Sequence, residues 1–498
     1  MQSNSFRKNE TPLSKHERNK KVLTPPLLKI PKLKINSWRN DRLPEMLWAV
    51  LVIGNIQRTD ALEFFRYIAK FVDKHPDCFD VSITGIAQLP SDKRRLFIKH
   101  FTSYSSVIND ILRPMLLFPQ LPGFADWKKV LPEPIPDKDW KQLGMGVALA
   151  SAHQTQEATD CRWIRFLCMV FGGKMRFHKD MAGRVEELLK YPNLGDMTSV
   201  RPFIRSTEAT LEANSHNTFI WAPYFWDYCF EHTQHGKDVD LFKKIEDRKK
   251  HLFTDYEHTK NNYFEENELL RRKLFEHFLK TKKSSVLDAR HDAAFGLSLY
   301  ALSMFSEIVC YGANSGILGR LGLRALVEVY ITFAYLLKNE KDKPDIWGVY
   351  RAHGYGQAKL VHLTAKELKT TMNSIELDVM EYIAGEDFFG EFVPINLGHW
   401  DSGDLRQMAE EAGLKDVYRK YYAYTSGFIH GNWAAVRESQ YQTCMNPTHR
   451  LHCIPHGELS FLPSVTNDAV EIVNSVFACL SLAYPDISVR IKTYDQHI

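Results

Sequence analysis

From about residue 41 onward, apolar residues recur at intervals of three and four along almost the whole chain. That is the period of a helix with one buried face. Pro44 sits where a first helical turn tolerates proline, and Leu47, Val50, Leu51 and Ile53 follow it. Thr59-Asp60 offers a cap for a second run carrying Leu62, Phe65, Ile68 and Phe71. The same pattern predicts helices over about 91–101, 104–117, 137–153, 156–171, 179–190, 196–213 and 217–232. Pro or Gly marks most of the joints. Only Phe79 to Ile83 reads as a strand, and one strand makes no sheet. The pattern therefore predicts an all-α protein.

The second half repeats the theme after a charged stretch, residues 240–283, with Lys243, Lys244, Glu246, Asp247, Arg248, Lys249 and Lys250. Ser284-Ser285 then opens a long helix through Leu297, Tyr300, Met304 and Phe305. Further helices are expected at about 315–337, 345–361, 403–412, 414–430 and 465–482. A chain of 498 residues exceeds what one hydrophobic core usually holds. The expected organisation is a basic flexible tail over 1–40, an N-terminal helical domain over 41–240, a charged helical connector over 241–283, and a C-terminal helical bundle over 284–498. Pro25, Pro26 and Pro31 disfavour helix in the tail, which is expected to be extended.

Charge is uneven. Residues 1–40 hold ten Lys or Arg against two Glu, while the remaining 458 residues hold 54 basic and 58 acidic side chains. The tail could touch nucleic acid or an acidic surface through its charge; otherwise it is a solvated, disordered arm. The eight cysteines (Cys78, Cys161, Cys168, Cys229, Cys310, Cys444, Cys453, Cys479) are irregularly spaced and mostly lie in apolar segments. That suits buried free thiols, not a disulfide framework. The polar N-terminus lacks the apolar run of a secretory signal, and no uninterrupted apolar run reaches the roughly 18 residues of a membrane span. A cytoplasmic protein without membrane contact is expected.

Two polar stripes on apolar helices carry the candidate chemistry. Arg320, Arg324 and Glu328 stand at i, i+4 and i+8 among Leu321, Leu323, Leu326 and Val327, where Arg324 and Glu328 can pair. Arg419, Ser426 and His430, at i, i+7 and i+11, fall within about 40° on a helix that also holds Tyr418, Tyr421, Tyr422 and Tyr424. Gly431-Asn432 should end that helix and leave His430 at its C-terminus, where the dipole favours a protonated ring. Arg351, in Tyr350-Arg-Ala-His353, could join from a third helix. The two stripes are expected to face each other, with Glu328 as counter-charge to Arg419 or His430, because isolated charges facing a core carry a penalty of several kcal/mol.

Arg324-Ala-Leu-Val-Glu328, then His399-Trp400 and the 402–413 segment, then Tyr418 to His430-Gly431 and Cys444 to Arg450, resemble a bacterial helical family of unknown function. Its marks are an Arg-x-x-x-Glu helix followed by a Tyr-x-x-x-Ser-x-x-x-His-Gly helix. The resemblance covers about residues 285–480. It extends, distantly, to HEPN-type helical bundles, many of which cleave RNA with an Arg and a His four to six residues apart. This chain departs from that spacing: ten residues separate Arg419 from His430. The resemblance implies a metal-independent RNA-cleaving or RNA-binding effector of bacterial defence or stress. In it His430, Arg419, Ser426, Arg324 and Glu328 would be catalytic, and Arg320, Arg351 and Tyr422 would contact substrate. A homodimer or a protein partner would fit such a bundle. The alternative is a non-catalytic helical interaction protein in which these side chains form a structural network.

Cys444, His449, His452, Cys453 and His456 place five metal-compatible side chains within thirteen residues. Their spacing matches no standard zinc module, and Pro447 and Pro455 point to a packed loop. No metal and no cofactor is expected. Phosphate-loop, His-Glu-x-x-His and Gly-x-Ser-x-Gly motifs are absent.

Overall fold

The computed structural model describes residues 13–20, 22–24, 26, 37–175, 182–193, 200–212, 221–236, 243–247, 256–283, 287–368, 374–386, 393–401, 403–457 and 461–493. The fold is all-α. Among the described residues the only strands are two short ribbons. One pairs Glu17–Asn19 with Val22–Thr24 antiparallel; the other pairs Tyr441–Thr443 with Cys453–Pro455. Phe79 to Ile83 is not a strand: Ser82 caps the helix Ile83–Gln88 by accepting from the Gly85 amide at 2.9 Å. Most of the proposed extended tail, and the connector at 248–255, lie outside the described residues.

The chain divides into two compact units, Met1–Asp238 with Thr443–Cys453, and Val239–Gln442 with Ile454–Ile498. Helical periodicity builds the first. Arg58–Lys74 buries Leu62, Phe65, Ile68 and Phe71 on one face, as its spacing requires. These join Trp48, Phe97, Phe101 and Trp127 in an aromatic core rich in edge-on ring contacts. Charge is also enclosed there. Glu208 is 4% exposed, and Arg165, Arg162 and Arg42 approach it at 3.0, 3.4 and 3.7 Å. Arg162 also lies over the Trp38 ring at 4.2 Å.

The second unit is a bundle of the helices Tyr256–Thr281, Ala289–Cys310, Ile317–Asn339, Ile346–Leu368, Lys415–Ile429 and Thr466–Ala483. Tyr256–Thr281, inside the stretch read as a connector, contributes Tyr263, Leu270 and Leu274 to this core. Ala289–Cys310 is long and apolar enough to cross a membrane by composition, but most of that window is buried in the unit, as in a core helix. The short helix Leu405–Glu411 starts with a capping box: Asp404 accepts from the Gln407 amide, and the Gln407 side chain accepts from the Asp404 amide.

Candidate functional site

In the second unit, Ile317–Asn339 packs on Lys415–Ile429 and brings the two predicted stripes to one helix pair. The helices run antiparallel there, because Arg320 lies 5.9 Å from the Phe428 ring while Arg324 meets Tyr422. Arg324 Nε donates to Glu328 Oε1 at 2.8 Å and its Nη2 donates to the Tyr422 hydroxyl at 2.7 Å. The Tyr422 ring stacks on Tyr418 with centroids 4.4 Å apart. Burial pushes the Tyr418 hydroxyl pKa up. Arg324, Glu328 and Tyr422 thus form one joined group.

The other predicted residues do not join it. Arg320 is buried and spends its donors on the carbonyls of Asn314, Gly316 and Pro463 at 3.3, 3.2 and 2.5 Å. A guanidinium walled in by backbone oxygens ties its helix to the segments that hold Asn314 and Pro463. Arg419 is 65% exposed and, among the described residues, pairs with Asp416 at 4.0 Å. His430 is the exposed C-cap of its helix, and its ring has no hydrogen-bond partner among the described residues. It stands eight residues past Tyr422, about 12 Å along the axis. The antiparallel crossing sends Glu328 the other way, so Glu328 does not face His430. Arg419, Ser426 and His430 do share one stripe, and that stripe faces solvent, with Ser426 half-buried.

Arg351 belongs to a different place, a cleft of about 680 Å³ lined by Asp292, Tyr300, Tyr350, Tyr355 and Glu386. Its guanidinium donates to Asp292 at 2.9 Å and to the Tyr355 hydroxyl at 2.8 Å, with Glu386 at 3.9 Å. Asp292 feels opposing effects: burial raises its pKa, while hydrogen bonding from Lys282 and the charge of Arg351 lower it, and the net shift is downward.

Among the described residues, the first unit holds a close group of metal-compatible side chains. Cys444, His449 and His452 meet His235, and one ligand atom from each lies within 4.8 Å of all the others. His235 Nδ1 is 3.3 Å from His449 Nδ1, 3.2 Å from His452 Nε2 and 3.8 Å from Cys444 Sγ; Cys444 Sγ is 3.5 Å from His449 Nδ1. Cys453 and His456 are not part of this cluster. His235 follows the Trp221–His232 helix and was invisible to local spacing, since 209 positions separate it from Cys444. Burial, then the neighbouring imidazoles, lowers the pKa of His449, and burial followed by His235 does the same for His452.

The backbone is folded to bring these groups in. The Met445 amide donates to the Gly236 carbonyl at 3.0 Å, and Asn446 Nδ2 donates to the Gln234 carbonyl at 2.7 Å. A Cβ at Gly236 would stand 2.4 Å from the Asn446 nitrogen, so only glycine permits this approach. The Cys444 amide donates to the His452 carbonyl at 2.8 Å and closes the loop between them.

Residues 291–444 match the model of a family of unknown function (DUF5677). The matched segment contains Arg324, Glu328, Arg351, Arg419, Tyr422, Ser426 and His430, and it ends at Cys444. No curated protein and no solved structure matches the chain.

Proposed function

We propose that the chain acts on RNA through the open face of the Lys415–Ile429 helix, as a metal-independent RNA-cleaving or RNA-binding effector of bacterial defence or stress in the cytoplasm. The observation that carries this reading is the solvent-facing stripe of Arg419, Ser426 and His430. An accessible imidazole can take a proton from a ribose 2′-hydroxyl or return one to the leaving oxygen, while Arg419, eleven residues earlier and about 16 Å along the helix axis, meets a phosphate farther along the bound strand. Trp433, three residues beyond His430, is 62% exposed and offers a ring for base stacking. Arg324, Glu328 and Tyr422 anchor the helix that carries the stripe. The group that orients His430 comes from the RNA or from a second copy of the chain.

The test incubates purified wild type, His430→Ala and Arg419→Ala with total RNA and measures both cleavage and retention. Loss of the imidazole should slow cleavage about a hundred- to ten-thousand-fold. Binding without cleavage supports the RNA-binding form. Equal cleavage by wild type and His430→Ala, or neither cleavage nor binding by any of them, overturns the proposal.

A second reading draws on Arg320, Arg324 and Glu328, whose polar groups go largely to internal partners. On this reading the chain is a non-catalytic helical interaction protein with a structural polar network. It predicts no RNA cleavage and an unchanged partner set in His430→Ala.

A further inference from the structure

We propose that His235, Cys444, His449 and His452 form a structural zinc site in the first unit. The argument starts from distances. With zinc–nitrogen bonds of about 2.05 Å and a zinc–sulfur bond of about 2.3 Å, a tetrahedral site places its nitrogens about 3.3 Å apart and its sulfur about 3.6 Å from each nitrogen. Two of the three nitrogen pairs are 3.3 and 3.2 Å apart, two of the three sulfur–nitrogen pairs are 3.5 and 3.8 Å apart, and the remaining two pairs, both to His452, lie within 4.8 Å.

The hydrogen-bond count then settles one tautomer. The Thr233 hydroxyl has a single proton, and its two oxygen neighbours able to take it are the Cys229 carbonyl at 2.7 Å and Thr448 Oγ1 at 3.1 Å, the latter already donating to Asn446 Oδ1; the proton goes to one of these. Thr233 Oγ1 must therefore accept from His449 Nε2, 2.8 Å away, as it does from Asn446 Nδ2 at 3.0 Å. With its proton on Nε2, His449 turns the Nδ1 lone pair toward His235 and Cys444. A neutral His235 ring can place at most one N–H at its Nδ1, which cannot serve two imidazole nitrogens and a sulfur at once. A cation at the centre serves all of them, and Thr233 becomes the outer hydrogen bond that fixes a ligand ring.

The donor set selects the metal. One thiolate and three imidazoles suit borderline zinc and disfavour calcium or magnesium, which take oxygen ligands. Four protein ligands fill the tetrahedral shell and leave no position for a reacting water, so the site fastens structure. What it fastens is the loop from Cys444 to His452, held against the chain segment that follows the Trp221–His232 helix. This site is separate from the RNA-directed stripe, and its failure would not touch that reading.

The experiment uses the full chain, loaded with zinc, desalted and analysed for metal. One zinc per chain is expected in wild type, in Cys453→Ser and in His456→Ala, whose side chains lie outside the cluster. Cys444→Ser and His449→Ala should lose it. Thr233→Val should weaken zinc affinity about 10- to 100-fold, with recovery in Thr233→Ser. Because a ligand variant could fail to fold, cobalt substitution of wild type gives an independent reading. A thiolate-to-cobalt charge-transfer band together with tetrahedral d–d bands is expected. No stoichiometric zinc in wild type, no thiolate–cobalt band, or unchanged zinc in well-folded Cys444→Ser would each overturn the site. Copper or iron in place of zinc would overturn the zinc assignment.

Discussion

The carboxylate and imidazole clusters of the first unit and the charged helix pairs of the second treat polar side chains in opposite ways. In the first, polar groups converge on a point. Arg42, Arg162 and Arg165 surround one buried carboxylate, Glu208, and three imidazoles and a thiol aim at one centre. In the second, Arg320 is enclosed by carbonyls, but most of the charged pairs run along helix surfaces and keep one member at the water. Arg324 meets Glu328 on its own helix, Arg290 meets Glu340 at 2.7 Å, and Arg419 and His430 stay exposed. Convergence concentrates charge where water cannot screen it, so each member depends strongly on the others. Surface pairing leaves water as an alternative partner, so each member can be removed at small cost. A stripe legible on a helical wheel therefore says little until its neighbours show whether it closes.

The largest effect that would sharpen this contrast is expected from Glu208→Ala. It takes the shared carboxylate away from three buried guanidiniums and should cost about 3–5 kcal/mol in denaturant unfolding. A loss under about 1 kcal/mol would remove the distinction between the units. Arg324→Ala, which breaks the bonds to Glu328 and Tyr422, should cost about 1 kcal/mol, because Glu328 is 39% exposed and can turn to water. A cost near that of Glu208→Ala would mean that the second unit also relies on closed charge.

Glu340 gives the comparison a pH dependence. Hydrogen bonding from Arg290 holds its carboxyl below the usual range against the opposing effect of burial, with Trp347 adding a further bond. Its folded pKa is depressed, so its contribution is fully present above the ordinary glutamate value of about 4.3. That contribution is lost as the pH falls through the folded value. Both partners reach solvent, so the contribution should stay below about 1 kcal/mol, and Glu340→Gln should flatten the acid limb of the stability profile by that amount. The smallest effect is expected from His430→Ala, whose stability should stay within about 0.5 kcal/mol of wild type by thermal unfolding, because the ring is exposed and has no hydrogen-bond partner among the described residues. A larger loss would place His430 in a network and weaken its assignment to an open face.

Much of the helical architecture is determined by the sequence alone. The runs expected over 156–171, 315–337, 414–430 and 465–482 are the helices Gln156–Phe171, Ile317–Asn339, Lys415–Ile429 and Thr466–Ala483. A helix buries one face, and that face repeats every three to four residues, so a local window reads it. The capping box at Asp404 is local for the same reason, since its partners are three residues apart. The stripe of Arg419, Ser426 and His430 was legible as well, because one helix places all three.

Only the tertiary structure decided what those faces meet. Arg320 and Arg324 are one turn apart and look alike in sequence, yet one is enclosed by carbonyls that include Pro463, 143 residues away, and the other binds Tyr422 across a helix crossing. The Cys444, His449 and His452 loop showed candidate ligands without a centre. The centre appeared with His235, brought in from 209 residues before Cys444 by close backbone packing at Gly236. Periodicity records how a segment divides between core and solvent. A convergent site is set by distances between segments, and those follow from how the whole unit packs, which no local spacing encodes.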